Sequence, residues 1–307
     1  MKGKNVVVTG GAGFIGSNLC NHLCKNNNVT AIDNEYLGDR ENLDDDVEFI
    51  LDDAVTVSID FDVDILFHLA ALSSYKMHEE STRKGARVNI EGFVNCVEEC
   101  SDNGCDTVVY ASTSSIYGSR TSPSKENIDV SVNTAYEASK MAREKYAEYY
   151  STHRGMSMAG MRFFSVYQGY GGNEEHKGEF ANIISQFADD ISKSRSPVIY
   201  GDGTQTRDFI HVDDIVKGLE AAADNSLDGI YNLGTQDTLS FNEIVDEINN
   251  QLGKNITPEY VDNPIPEHVY VEHTMSDTSK MEIDTEWEPK ISIEQGITQV
   301  CDHYKHG

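Results

Sequence analysis

The sequence has little positive charge for its size. Its 307 residues include 24 lysines and arginines against 52 aspartates and glutamates, which gives a net charge of −28. Such a chain repels nucleic acids and anionic membranes, so we expect neither as a partner. The acids are spread along the chain rather than gathered in a tail, which favours a hydrated protein surface adapted to high salt. Any anionic ligand then requires a cleft that concentrates the few cations.

Long apolar runs are also lacking. The first apolar stretch is VVV (6–8) before a glycine turn, which is typical of a buried strand and not of a signal peptide. We therefore expect a cytoplasmic protein without a membrane partner. Cysteines are few and lack the paired Cys-x-x-Cys spacing of zinc sites, so we interpret them as reduced structural thiols and expect no metal. They are Cys20, Cys24, Cys96, Cys100, Cys105 and Cys301.

The order of apolar segments indicates the fold. Short apolar strands alternate with helical stretches, and the strands are nearly all apolar, as in a parallel sheet covered on both faces. The predicted strands are 5–10, 29–33, 47–51, 64–70 and 107–112, and the predicted helices are 14–26, 83–103 and 240–252, the last capped by Ser240 and Glu243. This predicts an α/β doubly wound (Rossmann) sheet.

The pattern of residues changes after residue 164, which predicts a second region. Residues 1–164 are interpreted as a Rossmann domain, with a later return near 212–235 because 230–234 resembles another core strand. Residues 165–307 mix short strands, turns and charge, and are predicted to form mainly a smaller, interleaved substrate-binding lobe.

A glycine-rich turn follows the first strand and opens the first helix. The spacing of Gly10, Gly13 and Gly16 permits a tight turn and lets a helix N-terminus approach a pyrophosphate. The second strand ends at Asp33, 17 residues after Gly16, where a carboxylate accepts hydrogen bonds from the adenosine ribose. Asp33 therefore favours NAD over NADP; its other interpretation is a polar strand end.

Two further strand ends carry candidate cofactor contacts. Asp52 and Asp53 close the third strand, where an acid can reach the adenine amino group; simple solvation explains them equally well. The small residues of Leu69-Ala70-Ala71 close the fourth strand, as needed where backbone passes close to a cofactor.

Tyr136 and Lys140 lie four residues apart, hence on one face of a helix. A neighbouring ammonium lowers the pKa of a phenol, so we expect Tyr136 to exchange protons near neutral pH. A pair of this kind also occurs by chance on surface helices. Here it follows a strand that ends in hydroxyl residues, Ser112 to Ser115, which can share the alcohol of a substrate.

Six ordered motifs carry a family resemblance: TGGAGFIG (9–16), HLAAL (68–72), STSSIYG (112–118), YEASK (136–140), RFFSVY (162–167) and RDFIHVDD (207–214). Together they resemble the extended short-chain dehydrogenase/reductase family, and most closely its UDP-galactose 4-epimerase branch. The resemblance implies an NAD-dependent isomerase of nucleotide sugars, with UDP-glucose and UDP-galactose or their N-acetyl forms as expected substrates. It also implies a homodimer built on the helices at 83–103 and at Tyr136. Met141, Tyr146 and Tyr149 are candidate contacts; that they pack inward is an equal alternative.

The resemblance assigns roles to individual residues. Tyr136 removes the proton of the sugar hydroxyl while NAD accepts a hydride, the keto-sugar rotates, and the hydride returns to its other face. Thr113 is the catalytic Ser/Thr and Lys140 holds the nicotinamide ribose. The other cofactor contacts that it implies are Phe14, Ile15, Asn34, Ala54, Asn89 and Phe164. Ser114 and Ser115 replace the Asp-Glu pair of the dehydratases, which disfavours dehydration.

The resemblance also assigns a substrate site, from which this sequence departs. Arg207 matches the arginine that grips the diphosphate, although an ion pair with Asp208 is an alternative. Other substrate contacts that it implies are Ser165, where the family usually has asparagine, and Asn182, Val198 and Tyr200. No arginine near 264–274 matches the second diphosphate arginine. Lys177 is a candidate to replace it, or a second base as in the ADP-heptose 6-epimerase branch.

Thr274 falls where the 4-epimerase branch gates the sugar C2 substituent. A small residue there predicts that N-acetyl sugars are accepted, although a plain strand role is an alternative. Three functions stay open beside the leading one: another nucleotide-sugar epimerase, a net oxidoreductase and a non-catalytic NAD-binding regulator.

Overall fold

The computed structural model describes residues 1–267 and 269–305. Within them, seven parallel strands form the main sheet in the order β10-β6-β5-β4-β1-β2-β3. Its strands are β1 (Asn5–Thr9), β2 (Asn28–Asp33), β3 (Glu48–Leu51), β4 (Ile65–His68), β5 (Thr107–Ala111), β6 (Ser157–Phe163) and β10 (Gly229–Leu233). The chain runs outward from β1 in one direction and then in the other, so the predicted doubly wound sheet is confirmed.

Helices cover both faces of this sheet. The helices of the described residues are α1 (Phe14–Leu23), α2 (Tyr75–Glu80), α3 (Thr82–Ala86), α4 (Gly92–Asp102), α5 (Ala135–Arg154), α6 (Ile183–Ser192), α7 (Val212–Asp224), α8 (Phe241–Leu252), α9 (Ser279–Thr285) and α10 (Ile293–Lys305). One apolar core packs α1 and α7 on the sheet, and a second packs α4 and α5 on the opposite face. The central strands are therefore buried on both sides, which explains why their sequences are nearly all apolar.

Two smaller sheets complete the structure. β7 (Ser165–Tyr167), β9 (Thr206–His211) and β11 (Thr238–Ser240) form one, and β8 (Val198–Tyr200) pairs in parallel with β12 (Glu259–Val261). A third apolar core holds α6, α8 and α10 together on this side. The chain enters this region after β6 and returns to the main sheet at β10, which pairs with β6. The domain boundary between residues 164 and 165 stays a prediction.

Two local predictions have clear outcomes. The helix expected at 240–252 is α8, and Ser240 and Glu243 form the capping box at its start. The helix expected at 83–103 is interrupted by a π-helical turn at 87–91, which separates α3 from α4 and carries Asn89.

All six thiols are free. No helix of the described residues has the length and apolar character that crossing a bilayer requires.

Candidate active site

The turn between β1 and α1 is built on close backbone contacts. Gly10 has a φ of +69°, and a Cβ there would lie 2.6 Å from the backbone nitrogen of Ala70. A Cβ on Gly16 would lie 2.0 Å from the carbonyl oxygen of Gly10. Neither position can therefore hold a larger residue, because the turn packs closely on itself and against the segment after β4. Gly13 caps α1, which begins with Phe14 and Ile15.

Asp33 ends β2 beside this turn. Its carboxylate accepts hydrogen bonds from the backbone nitrogens of Ala12 (3.2 Å) and Glu35 (2.8 Å), and burial raises its pKa. The next residue, Asn34, donates to the carboxylate of Asp53 at 3.0 Å. The acid that the sequence predicts for a ribose therefore lies at the mouth of the glycine turn, as a dinucleotide site requires.

The ends of β3 and β4 lie along the same edge of the sheet. The backbone nitrogen of Asp52 donates to the carbonyl of Asp33, and that of Leu69 donates to the carbonyl of Thr9. Ala70 and Ala71 continue past Gly10, and Ala54 lies under the start of α4, near Gly92. The predicted cofactor residues of four strands therefore follow one continuous edge.

Asn89 is fully buried in the π-helical turn. Its amide oxygen accepts from the backbone nitrogen of Leu72 at 2.8 Å, and its amide nitrogen donates to the Ser139 hydroxyl at 2.8 Å. Asn89 thus ties the segment that follows β4 to α5.

Helix α5 carries the predicted catalytic pair. Thr134 and Glu137 form a capping box that fixes its first turn. Lys140 Nζ donates to the carbonyl oxygen of Ala111, at the end of β5, at 3.0 Å and lies 5.8 Å from the centroid of the Tyr136 ring. Thr113 follows β5, is buried, and accepts from the backbone nitrogen of Ser115.

Burial raises the pKa of Tyr136, and a hydrogen bond with Thr113 and the charge of Arg143 oppose that rise. The expectation that Lys140 lowers the phenol pKa is therefore wrong for this structure. The ammonium is held at the end of β5, and burial lowers the pKa of Lys140 itself well below its usual range. The cation that counters the burial of Tyr136 is Arg143.

Sequence reasoning missed Arg143, although a signal for it exists. Tyr136, Lys140 and Arg143 stand at i, i+4 and i+7, which places all three on one face of α5. It also missed His78 on α2, whose ring centroid lies 5.6 Å from that of Tyr136. No local pattern marks His78, because the approach of α2 to α5 is a tertiary contact.

A buried ion pair contacts the loop that follows β5 and carries Thr113. Arg162 on β6 donates to both carboxylate oxygens of Glu144 on α5, at 2.9 and 2.7 Å. The Ser112 hydroxyl donates to the same carboxylate, and Arg162 also donates to the Tyr117 hydroxyl at 2.8 Å. The Tyr117 ring stacks on Phe164, a predicted cofactor contact. Ser112 and Tyr117, which lie on either side of Thr113, are therefore both hydrogen-bonded to this one ion pair.

Arg207 lies at the other end of the site, on β9. Its guanidinium donates to the carbonyl oxygens of Thr206 (2.9 Å) and Glu272 (2.7 Å) and lies over the ring of Tyr270. The alternative ion pair with Asp208 is not formed. Asp208 instead accepts hydrogen bonds from nearby hydroxyl and backbone groups, at Thr235, Gln236 and Ser276.

A cavity of 480 Å³ opens beside Arg207. It lies next to β9 and is lined by Ser119, Asn263, Ile265, Glu267, Tyr270 and Glu272. Its volume suits a small ligand.

The remaining predicted substrate residues lie on or beside the two smaller sheets. Ser165 begins β7, and Asn182 caps α6 and donates to the carbonyl of Val166. Val198 and Tyr200 are exposed on β8. The hydroxyl of Thr274 accepts from the backbone nitrogen of Asp208 at 3.1 Å, so it has a structural hydrogen bond, and its role as a gate stays a prediction.

Lys177 lies away from that cavity, against the glycine turn. Its Nζ is 5.1 Å from the centroid of the Phe14 ring, and burial lowers its pKa. Two hydrogen bonds hold this segment in place: the Asn173 amide donates to the Ser17 hydroxyl of α1 at 3.0 Å, and His176 pairs with Asn42, which lies between β2 and β3, at 3.1 Å. Lys177 therefore contacts the end of the site that suits a pyrophosphate.

Known proteins resemble this chain over almost all of its length. A putative UDP-glucose 4-epimerase of Methanocaldococcus jannaschii is 34% identical, with 98% of each chain covered. A UDP-N-acetyl-alpha-D-glucosaminuronate decarboxylase of Bacillus cytotoxicus is 30% identical, also with 98% of each covered.

Solved structures agree in fold. The UDP-N-acetylglucosamine 4-epimerase of Methanobrevibacter ruminantium superposes with a TM-score of 0.92 at 30% identity, covering 100% of this chain and 99% of that one. A UDP-glucose 4-epimerase of Thermus thermophilus, in complex with NAD, gives 0.85 at 28% identity and covers 98% and 99%. Residues 6–234 match the profile of a family described as NAD dependent epimerase/dehydratase. With the glycine turn, Asp33 and the Tyr136–Lys140 helix in place, this chain belongs to the NAD dependent epimerase/dehydratase family, and NAD is its cofactor.

Proposed function

We propose that this protein is an NAD-dependent 4-epimerase of UDP-sugars. The observation that carries the proposal is the convergence of Thr113, Tyr136 and Lys140 at the ends of β5 and α5, on the sheet edge that bears the glycine turn. The names of similar proteins support UDP as the nucleotide, since UDP-glucose and UDP-N-acetylglucosamine 4-epimerases are among them.

The residues present fit NAD. The turn at Gly10 and Gly16 leaves backbone and no side chains facing the pyrophosphate position, and Asp33 offers a carboxylate for the ribose hydroxyls. Lys140 is a buried ammonium held by one carbonyl, so two of its three hydrogens remain for the nicotinamide ribose. When bound, NAD supplies the oxidation and the later reduction of the sugar carbon.

The protein's own part of the reaction is proton transfer. Tyr136 accepts the proton of the sugar hydroxyl during oxidation and returns it during reduction. Thr113 donates a hydrogen bond that orients the same hydroxyl, and the charge of Arg143 stabilises the phenolate. Because the phenol is buried, this charge acts through little water and its effect is large.

The substrate extends from Tyr136 towards β9. Arg207 binds the diphosphate, because its guanidinium is oriented by two carbonyls and forms no ion pair with a carboxylate within the described residues. Ser165 and Asn182 line the path to it, and Val198 and Tyr200 lie at the nucleoside end. The cavity beside Tyr270 accommodates part of this ligand.

We assign Lys177 to phosphate binding rather than to a second proton transfer. Its contact with Phe14, the first residue of α1, supports contact with the cofactor pyrophosphate. A base would need to reach the sugar carbon beside Tyr136. The second diphosphate arginine that the sequence lacks is therefore not replaced by Lys177.

Three properties of the whole chain belong to the same proposal. Tyr146 and Tyr149 are 43% and 47% exposed on α5, which supports a homodimer formed through this helix. The six free thiols suit a reducing compartment such as the cytoplasm. The net charge of −28 supports a requirement for high salt.

The test is conversion of purified substrates followed by NMR. The protein should interconvert UDP-glucose and UDP-galactose, or their N-acetyl forms, without net reduction of NAD. Tyr136→Phe removes only the phenol oxygen, so it should keep NAD binding while the rate falls by several orders of magnitude. Stoichiometric NADH release would indicate a dehydrogenase, and loss of carbon dioxide from a UDP-uronic acid a decarboxylase. Neither outcome is compatible with the proposal.

A further inference from the structure

Arg143 is a fully buried cation. The proposed proton transfer assigns it no contact with the substrate. We propose that Arg143 is a positioning residue that joins α5 to the cofactor edge of the sheet and holds the Tyr136 base in a positive field. The inference rests on the proposed function, because it gives Arg143 a role towards Tyr136 and NAD.

The geometry of the guanidinium is the first argument. Its Nε donates to the carbonyl of Asn89 at 2.5 Å, one terminal nitrogen donates to Ala70 at 2.7 Å, and the other approaches Ala111 at 3.4 Å. These carbonyls belong to three different segments: the end of β4, the π-helical turn and the end of β5. Each segment carries a predicted cofactor or catalytic residue. Only the planar fork of arginine reaches all three at once.

The surroundings of Arg143 are the second argument. The guanidinium lies 5.8 Å from the Phe93 ring centroid and close to Cys96 and Tyr110, all of which are buried. No carboxylate forms an ion pair with it among residues 1–267 and 269–305. A buried cation without an anion carries a large desolvation cost. The charge therefore serves the site rather than the core.

The field at Tyr136 is the third argument. The titratable groups that face its ring are His78 from α2 and Glu137, Lys140 and Arg143 from α5. Burial lowers the pKa of His78, so this ring is neutral at neutral pH, and Glu137 disfavours the phenolate. Burial lowers the pKa of Arg143 only to about 10, so its charge persists through the neutral range. Arg143 is thus the dependable cation of this group.

Two substitutions separate position from charge. Arg143→Met removes both, and Arg143→Lys keeps a cation but loses the three-way fork. Lys145→Met is the matched control, because it removes one positive charge from the exposed face of the same helix. NAD affinity is measured by calorimetry without any sugar. The ionisation of Tyr136 is measured as the phenolate absorbance that each protein loses when Tyr136→Phe is added.

We expect Arg143→Met to weaken NAD binding about tenfold and to raise the ionisation pH of Tyr136 by about one unit. Arg143→Lys should weaken NAD binding similarly while leaving that pH near the wild-type value, and Lys145→Met should change neither. A folded Arg143→Met protein with wild-type values of both would overturn the proposal, as would one that loses NAD affinity without a shift at Tyr136.

Should Arg143→Met fail to fold, Arg143→Lys still decides the positioning role, since wild-type NAD affinity in it overturns the proposal. These outcomes are distinct from failure of the proposed function. Both readings come from protein without sugar, whereas the proposed function fails if the unmodified protein converts no UDP-sugar.

Discussion

Asp33 shows how one carboxylate does two tasks. Its oxygens accept hydrogen bonds from the backbone of Ala12 and Glu35, so the side chain is oriented by the fold before any ligand binds. Burial raises its pKa, yet hydrogen bonds from the backbone of Glu35, Ala12 and Gly13 oppose that rise. A fixed negative charge beside the glycine turn repels a 2′-phosphate, which is the physical basis of a preference for NAD over NADP.

Asp33→Asn should therefore relax the choice of cofactor. The substitution keeps the size of the side chain and one oxygen acceptor but removes its charge. We expect the affinity for NADP to rise at least tenfold and that for NAD to fall, both measured by calorimetry. Asp45→Asn, which removes an equal charge from an exposed loop, is the control. An unchanged ratio of the two affinities in Asp33→Asn would show that Asp33 does not read the ribose.

At the scale of elements, α5 combines several roles. Its capped first turn fixes Tyr136, its buried face presents Lys140 and Arg143, and one residue later Glu144 pairs with Arg162 on β6. Glu144 and Arg162 have side-chain exposures of 7% and 4%, so neither charge can be satisfied by water. The orientation of the catalytic helix on the sheet thus depends on a desolvated ion pair.

Glu144→Gln should destabilise the protein by about 3–5 kcal/mol, because it leaves Arg162 buried without a countercharge. The measurement is urea unfolding followed by circular dichroism. Glu148→Gln is the control, since Glu148 forms an exposed pair with Lys145 one turn further along α5 and should change the free energy of unfolding little. Adding Arg162→Met to Glu144→Gln should recover part of the loss. Equal effects of Glu144→Gln and Glu148→Gln would contradict the buried-pair argument.

What the sequence could predict follows from the range of each interaction. The strand alternation, the glycine turn and the Tyr136–Lys140 face depend on neighbours within about one helical turn, and their patterns are local. Other interactions depend on how α2, α5 and the sheet pack. They are the ion pair of Arg162 with Glu144, the three hydrogen bonds of Arg143 and the contact of His78 with Tyr136. Tertiary packing also decided the phenol pKa, where burial outweighed the hydrogen bond with Thr113 and the charge of Arg143.

For the whole molecule, the exposed face of α5 predicts self-association. Tyr146 and Tyr149 are large and half-exposed on a helix otherwise rich in charge. Tyr146→Asp combined with Tyr149→Asp should convert a dimer into a monomer, measured by light scattering at high salt. Ile283→Asp is the control, because Ile283 is 79% exposed on α9 and lies outside the proposed interface. An unmodified protein that is monomeric at all concentrations would exclude the dimer.

The acidic surface predicts that stability depends on salt. Repulsion among the excess carboxylates opposes the compact state, and salt weakens it because the Debye length falls from about 10 Å at 0.1 M to about 3 Å at 1 M. We expect the midpoint of thermal unfolding to rise steeply with KCl up to about 1 M.

Asp44, Asp45 and Asp46 form an exposed acidic run, so changing all three to asparagine should raise the midpoint at 0.1 M KCl. The same change should have a much smaller effect at 2 M, where the charges are already screened. Sucrose at matched osmolality is the control for general solute exclusion. If KCl and sucrose act alike, or if the triple variant gains as much at 2 M as at 0.1 M, charge repulsion does not set the salt response.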